Sequence, residues 1–268
     1  MKKIVVLAYL ASTICLSPQT QAQTVPVVIT SDYYAQPKVL ILHALNNSGK
    51  DIAGYTITIR HKNPDGTVDK GGSSSMLDML SVLITTQMAK DSVPSERMHL
   101  QDGNKQFPAG NGIFFAGETR DVTLTEINSG SDLDTTAAVV FYTDGSYDQQ
   151  DEGAFKQMLA YRQHQLRQIK GTNELIRNAL ADETNVHPVA GVLTELNKRR
   201  IEEMNKGQRF PVDLSDSELR SMEQPVSNGP MKGKSERERL TQYVEDQEKR
   251  VELMTPHCHL EIDAAPKK

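Results

Sequence analysis

Residues 39–60 read VLILHALNNSGKDIAGYTITIR, and this stretch decides the fold class of the chain. Its first part, 39–45, is an apolar run closed by the turn cluster 46–50, in which Asn and Gly accept positive φ angles. Apolar and polar residues then alternate from Ala53 to Arg60. The pattern predicts two antiparallel strands, the second with one buried face and one face in water.

Three more strand-like segments follow, at 113–115, 122–125 and 137–142, and turn residues separate them. Between the strands, apolar residues three or four apart over 76–88 predict an amphipathic helix, although the β-branched run 82–86 leaves a strand open as the alternative. Short strands separated by turns indicate an antiparallel sandwich. The Gly-Ser cluster at 71–75 is interpreted as a flexible loop rather than a nucleophile loop, because no histidine or acid lies near it in sequence.

The first half of the chain also resembles a known class of module. LHALNNSGKDI at 42–52, YTITI at 55–59 and PDG at 64–66 resemble the opening of immunoglobulin-like β-sandwich modules of exported bacterial proteins. AVVFYTDG at 138–145, followed by a helix rich in Gln and Arg, is similar to uncharacterised exported proteins of soil bacteria. The resemblance covers roughly residues 37–200 and implies an immunoglobulin-like fold, with no known activity.

From Glu152 onward the hydrophobic period is helical. A long amphipathic helix of coiled-coil type is predicted, with Arg162 and Asn173 as two polar breaks in its apolar stripe. The stripe consists of Phe155, Leu159, Leu166, Ile169, Ile176 and Leu180. A second helix, over about 189–204 and ending at Gly207, is expected to pack on the first as a hairpin.

Two capping boxes mark later helix starts, Ser215 with Glu218 and Ser235 with Glu238. The Pro- and Gly-containing stretch 224–234 between them is interpreted as a flexible linker. The last helix is expected to be only weakly attached, either as a solvated surface or as an element for a partner or for self-association. Its seam would be Leu240, Val244, Val251 and Met254.

The N-terminus predicts export. Lys2 and Lys3 precede an apolar run at 4–16, shorter than the roughly 20 residues of a membrane-spanning helix, and small residues precede a cleavage point after Ala22. A secretory signal peptide is therefore expected at 1–22, with a lipoprotein signal at Cys15 and an uncleaved anchor as alternatives. The expected location is the periplasm, the cell surface or the medium.

The predicted fold class is therefore α+β, an antiparallel immunoglobulin-like β-sandwich followed by a helical region. Its domains are the signal peptide at 1–22, the β-sandwich at 23–150, the helical hairpin at 151–207, and a linker with short helices and a tail at 208–268.

Composition limits the partners. Without Lys2 and Lys3 the chain has 28 Lys and Arg against 35 Asp and Glu, a net charge of −7, so nucleic acid is not an expected partner. A protein or a cell-envelope component is expected instead, with no transmembrane anchor after cleavage. Cys258 is the single cysteine after cleavage, which leaves burial, a metal or an intermolecular disulfide open for its thiol.

Two short motifs are candidate metal sites. On an extended chain His257 and His259 project to one side, a spacing that suits Zn²⁺ or Cu²⁺, with Cys258 as a further ligand. A tail that merely contains two histidines is the alternative. The second motif is an acidic turn with Ca²⁺-like spacing, Asp144, Ser146, Asp148, Asp151 and Glu152. Its favoured interpretation is a solvated turn whose carboxylates stabilise the start of the next helix.

Common catalytic motifs are absent from the sequence: it has no G-x-S-x-G, H-E-x-x-H or S-x-x-K motif and no G-x-x-x-x-G-K-S/T phosphate loop. The sequence therefore predicts an exported non-enzymatic binding or structural module. The alternative is a metal-binding or metal-dependent envelope protein that uses His257, Cys258 and His259, and an enzyme of unrecognised type also stays open.

Overall fold

The computed structural model describes residues 25–88, 112–125, 133–185, 187–205, 219–222 and 232–259. The predicted signal peptide, the capping box at Ser215 and most of the predicted linker lie outside these residues. Within the described ranges, no helix combines the length and the apolar character that a membrane span requires.

Seven strands and four helices make up most of the described chain. The strands are β1 (Val27–Tyr34), β2 (Val39–Asn46), β3 (Ile52–Lys62), β4 (Val68–Asp78), β5 (Thr119–Thr125), β6 (Leu133–Tyr142) and β7 (Tyr147–Gln149). The helices are α1 (Leu80–Met88), α2 (Glu152–Ala181), α3 (Pro188–Asn205) and α4 (Glu236–Cys258). The predicted order, with antiparallel sheets first and helices after them, is confirmed.

The strands form two antiparallel sheets, ordered β1-β2-β5 and β4-β3-β6-β7. Alternate residues of β2, including Leu40 and Leu42, and alternate residues of β3, including Tyr55 and Ile57, meet in one hydrophobic core. Helix α1 adds Leu83 to this core, and α4 also contributes to it. The helix predicted over 76–88 is thus present from Leu80 to Met88, whereas 76–78 belong to β4.

Strand β3 is buried on both faces, so the prediction that one face lies in water is wrong. The second face carries Thr56 and Thr58, which are 2% and 8% exposed. Helix α2 covers this side of the sheet, because its Phe155 and Met158 pack in one cluster with Phe141 of β6. The side chains on this face are polar but small, so a helix can pack closely against it.

Residues 71–75 are part of strand β4, so the loop interpretation is wrong. Ser73 lies opposite Ile59 of β3, and Ser75 lies opposite Ile57. At Gly72 a Cβ atom would lie 2.5 Å from the Ile59 carbonyl oxygen, and glycine therefore permits this close approach of the two backbones. Glycine here serves close strand contact rather than flexibility.

The predicted helical hairpin is present as α2 and α3. Ile176 of α2 and Val192 of α3 pack in a second hydrophobic cluster, which also contains Leu240 and Val244 of α4. The expected capping box of α4 is confirmed, since the Ser235 amide donates to the Glu238 carboxylate at 2.7 Å and the Glu238 amide donates to Ser235 Oγ at 3.2 Å.

Helix α4 is not weakly attached. Its seam residues Leu240 and Val244 are buried against α2 and α3, and Met254 is 2% exposed in the main core. Val251 packs against the same core. The seam predicted for a partner is therefore covered by the chain itself, because α2 and α1 present matching apolar faces.

Candidate functional site

A buried ion pair joins helix α2 to strand β4. The Arg162 side chain is fully buried and that of Asp78 is 5% exposed. Arg162 donates from Nε to Asp78 Oδ2 at 3.0 Å and from Nη2 to Asp78 Oδ1 at 2.8 Å. The guanidinium also lies 4.3 Å from the centre of the Phe141 ring. These two hydrogen bonds offset part of the cost of removing both charges from water, whereas the buried Arg162 Nη1 has no hydrogen-bond partner among the described residues.

Three neighbouring strands shape the pocket around this guanidinium. Gly54 of β3 lies between Asp78 on β4 and Phe141 on β6 in the strand register. A Cβ atom on Gly54 would lie 2.8 Å from Arg162 Nη2 and 3.1 Å from Asp78 Oδ1. Glycine at this position therefore leaves the space that the arginine fills.

The same contacts fix the C-terminal end of strand β4. Asp78 Oδ1 also accepts a hydrogen bond from the Leu80 amide at 3.1 Å, at the start of α1. At the other end of the helix–sheet contact, Asp151 caps α2 through the Ala154 amide at 3.0 Å and accepts from Arg60 of β3 at 3.1 Å. Strands β3 and β4 are thus both tied to α2 by charged side chains.

Arg162 was visible in the sequence only as a polar break in an apolar stripe. The other break, Asn173, is also buried, at 3% exposure. A charged residue at a core position of a long amphipathic helix signals a buried partner, but the sequence does not indicate that the partner is Asp78.

The predicted metal ligands at the C-terminus lie in different environments. Helix α4 continues to Cys258, which is fully buried in the main core, and burial raises the pKa of its thiol to about 11. His257 is 6% exposed, and burial, together with the charge of Arg162, lowers its pKa. His259 follows the helix and is exposed. Of the alternatives for Cys258, the structure shows burial.

This helical geometry differs from the extended chain on which the metal hypothesis was based. Over the ranges that the structure describes, no group of three or more His, Cys, Asp or Glu side chains is placed to hold a metal ion. Glu261 and Asp263, which follow the motif in sequence and could add a carboxylate ligand, lie outside those ranges. Metal binding by residues 257–259 therefore stays a prediction.

The acidic turn is occupied by contacts within the chain. Asp144 Oδ1 accepts from the Ser146 amide at 2.9 Å, and Oδ2 accepts from Lys50 Nζ at 2.9 Å. Partial burial opposes the ionisation of Asp144, but the hydrogen bonds from Ser146 and Lys50 outweigh it and lower its pKa to about 2. Asp148 accepts from the Tyr142 hydroxyl at 2.5 Å. With Asp151 as the cap of α2, these contacts support the interpretation as a helix-starting turn.

The fold brings the two predicted candidate sites together. A Cβ atom on Gly145 of the acidic turn would lie 3.9 Å from Cε1 and Nδ1 of His257. His257 Nδ1 is buried and has no hydrogen-bond partner among the described residues. Sequence separation hid this contact, since the two motifs lie more than a hundred residues apart.

His43 forms a charged bridge across the three-stranded sheet. Its Nδ1 lies 2.7 Å from Asp121 of β5, and its Nε2 lies 3.2 Å from Asp32 of β1. These side-chain hydrogen bonds, that to Asp121 first, raise the pKa of His43. Neither carboxylate is buried, so solvent screens the interaction.

We expect the contribution of His43 to stability to depend on pH. Because its pKa is raised in the folded state, the contribution is fully present below the unfolded-state value of about 6.5 and is lost as pH rises through the folded-state pKa. Urea unfolding of wild type and His43→Gln at pH 5.5 and pH 8.5 measures this. The wild type should exceed the variant by more at pH 5.5, and an equal difference at both pH values would contradict the bridge. Comparing the two proteins cancels the opposite contribution of His257.

Strand β4 ends its sheet and exposes a regular backbone edge, here called the β4 edge (residues 72–78). The Met79 amide donates to the Ala53 carbonyl at 2.9 Å, and these two residues face each other in the register of β3 and β4. Hydrogen-bonded and non-hydrogen-bonded pairs alternate in an antiparallel ladder. The N–H and C=O groups of Gly72, Ser74 and Met76 therefore point away from β3.

The β4 edge lacks the usual protection of an edge strand. Residues 71–77 contain no proline and no charged residue, and no described strand pairs with the outer side of β4. Natural edge strands are commonly protected by Lys, Pro or a bulge. Here the pairing of β3 with β4 is regular from Gly72 to Asp78, and its irregularity lies at the far end, between Arg60 and Lys62.

Comparisons with known proteins do not indicate a function for this chain. No protein family and no curated protein matches the chain. Among solved structures, it is similar to a hypothetical protein from Peptoclostridium difficile 630, with 13% identity and a TM-score of 0.26, over 52% of this chain and 92% of that chain. A TM-score this low does not show a shared fold.

Proposed function

We propose that this protein is an exported, non-enzymatic binding module that takes up an extended segment of a protein partner at the β4 edge. The observation that carries the proposal is the row of outward-facing backbone groups at Gly72, Ser74 and Met76. An exposed, regular strand edge binds extended segments by adding them as a further strand.

The surrounding contacts favour this use of the edge. The buried pair of Arg162 and Asp78 holds the end of β4 against α2, so the edge is ordered before a partner arrives. Pre-ordering lowers the entropic cost of binding. The shared core of the two sheets supports the immunoglobulin-like arrangement that we propose for the module.

Export and a non-enzymatic role rest on the sequence. The pattern at 1–22 is that of a secretory signal, and no common catalytic motif occurs in the chain. The one thiol that remains after cleavage is protonated at neutral pH, because burial raises the pKa of Cys258 to about 11. Cell fractionation tests the export, and a protein found only in the cytoplasm would contradict it. The mass of the exported chain tests the cleavage, and a chain that retains residues 1–22 would contradict cleavage after Ala22.

Ser74→Pro tests the binding edge, with Ser74→Ala as the matched control. Because the Ser74 N–H points away from β3, proline at this position leaves the ladder with β3 intact and removes a donor for an added strand. Alanine removes the same hydroxyl but keeps the N–H. We expect a partner captured from the cell envelope by wild type and by Ser74→Ala to be lost with Ser74→Pro.

Hydrogen exchange with the purified partner provides the direct measurement. The amides of Gly72, Ser74 and Met76 should become protected when the partner binds to wild type. Retention of the partner by Ser74→Pro, or unchanged exchange at these amides, would overturn the proposed edge.

A metal-carrying role for residues 257–259 is the second candidate. The unpartnered, buried Nδ1 of His257 favours it, since a buried ring nitrogen without a hydrogen bond is costly. Stoichiometric zinc or copper in the purified protein, lost in His257→Ala, would support this role. Metal-free protein after incubation with either ion would exclude it.

A further inference from the structure

We propose that the strand added at the β4 edge is β4 of a second copy of this chain, antiparallel to the first and centred on Ser74. The inference rests on the proposed function of the edge and names its partner. It creates one continuous sheet through two copies, related by a two-fold axis.

The outward-facing groups set the register of this pairing. Gly72, Ser74 and Met76 must pair with one another across the axis, because their N–H and C=O groups are the ones that face outward. With Ser74 opposite Ser74 of the second copy, Gly72 lies opposite Met76. Every outward-facing group of this stretch then meets a partner.

Side-chain size favours the same register. Residues 71–77 read GGSSSML, so small residues lie at one end and large ones at the other. Reversing the strand places Met76 opposite Gly72 and Leu77 opposite Gly71. Space is open around Gly71, where a Cβ atom would have no neighbour within 4 Å. Met76 and Leu77 are only partly buried in their own chain, so the pairing would cover them further.

Charge distinguishes this edge from the other strand edges of the structure. A two-fold axis brings like charges together, which disfavours pairing through charged strands in an acidic protein. Each of the other terminal strands carries an acidic residue: Asp32 in β1, Asp121 in β5 and Asp148 in β7. Strand β4 also carries charged residues, Asp69, Lys70 and Asp78, but they lie at its two ends, and the stretch 71–77 on which the pairing is centred carries none.

Sedimentation of the full mature chain tests the pairing. We expect a concentration-dependent dimer for wild type. Ser74→Lys should shift it to monomer, because two ammonium groups would face each other across the axis. Thr30→Lys, at an exposed position of β1, is the matched control and should keep the dimer. Circular dichroism confirms that each variant is folded.

Ser74→Cys tests the register without weakening the fold. Directly opposed residues of a hydrogen-bonded pair have Cα atoms about 5.5 Å apart, within reach of a disulfide. Mild oxidation should link the Ser74→Cys variant into a covalent dimer, whereas Thr30→Cys should stay monomeric on a non-reducing gel. The native Cys258 is buried and does not compete.

The outcomes separate this inference from the proposed function. A wild-type monomer at every concentration would overturn the second copy as partner, while loss of an envelope partner in Ser74→Pro would still support the edge. A dimer that persists in Ser74→Lys, with no cross-link in Ser74→Cys, would overturn pairing through β4.

Discussion

Replacing Arg162 with Met is expected to lower the free energy of unfolding by about 3–5 kcal/mol, because it leaves the Asp78 carboxylate buried without its counter-charge. Both side chains are buried, and Arg162 donates hydrogen bonds to both carboxylate oxygens. Urea unfolding followed by circular dichroism at neutral pH measures the loss.

An exposed ion pair provides the control for this experiment. Arg177 of α2 forms an ion pair with Glu248 of α4, and these side chains are 56% and 47% exposed. Arg177→Met should therefore cost at most about 1 kcal/mol. Equal losses for Arg162→Met and Arg177→Met would show that the buried pair does not fix α2 on the sheet.

A double variant separates the buried charge from the lost packing. Arg162→Met combined with Asp78→Leu leaves neither charge in the core and should recover part of the stability lost in Arg162→Met. Full recovery is not expected, because Asp78 also accepts a hydrogen bond from the Leu80 amide. A double variant less stable than Arg162→Met would contradict an uncompensated charge as the cause.

Phe155→Ala is expected to cost about 3–5 kcal/mol, the usual range for a fully buried phenylalanine. The Phe155 ring is stacked with Phe141 at 5.5 Å and lies 4.8 Å from the ring of Tyr147. It joins α2 to strands β6 and β7, and its loss leaves a cavity between the helix and the sheet. Urea unfolding measures the effect.

Ile201→Ala is the control for the aromatic cluster. Ile201 is 51% exposed on α3, so its truncation should change stability by no more than about 0.5 kcal/mol. If Phe155→Ala were as mild as Ile201→Ala, α2 would not pack on the four-stranded sheet as described.

Much of the local structure could be predicted from the sequence. The alternation from Ala53 to Arg60 gave strand β3, and the Ser235 capping box marked the start of α4. These patterns are local, because the periods of strands and helices and the requirements of caps depend on residues a few positions apart. Strand β1 was not predicted: VVITSDYY has no sustained alternation, and its pairing with β2 is visible only in the fold.

The candidate binding edge was missed for a related reason. Gly and Ser at 71–75 have low intrinsic strand preference, so the sequence favoured a loop. Pairing with the buried strand β3 overrides that preference, and the close backbone contact at Gly72 requires a residue without a side chain. An edge is also a property of the sheet order, which no local pattern contains.

The sequence by itself determined several of the strands, including β2, β3 and β6, the helical character of the second half, the acidic balance and the single cysteine expected after cleavage. The tertiary structure decided which faces are covered, where Arg162 finds its counter-charge, that Cys258 lies in the core and that β4 ends a sheet. The physical reason is range: hydrogen-bonding patterns and side-chain periods act between near neighbours, whereas burial and charge pairing depend on residues that only folding brings together.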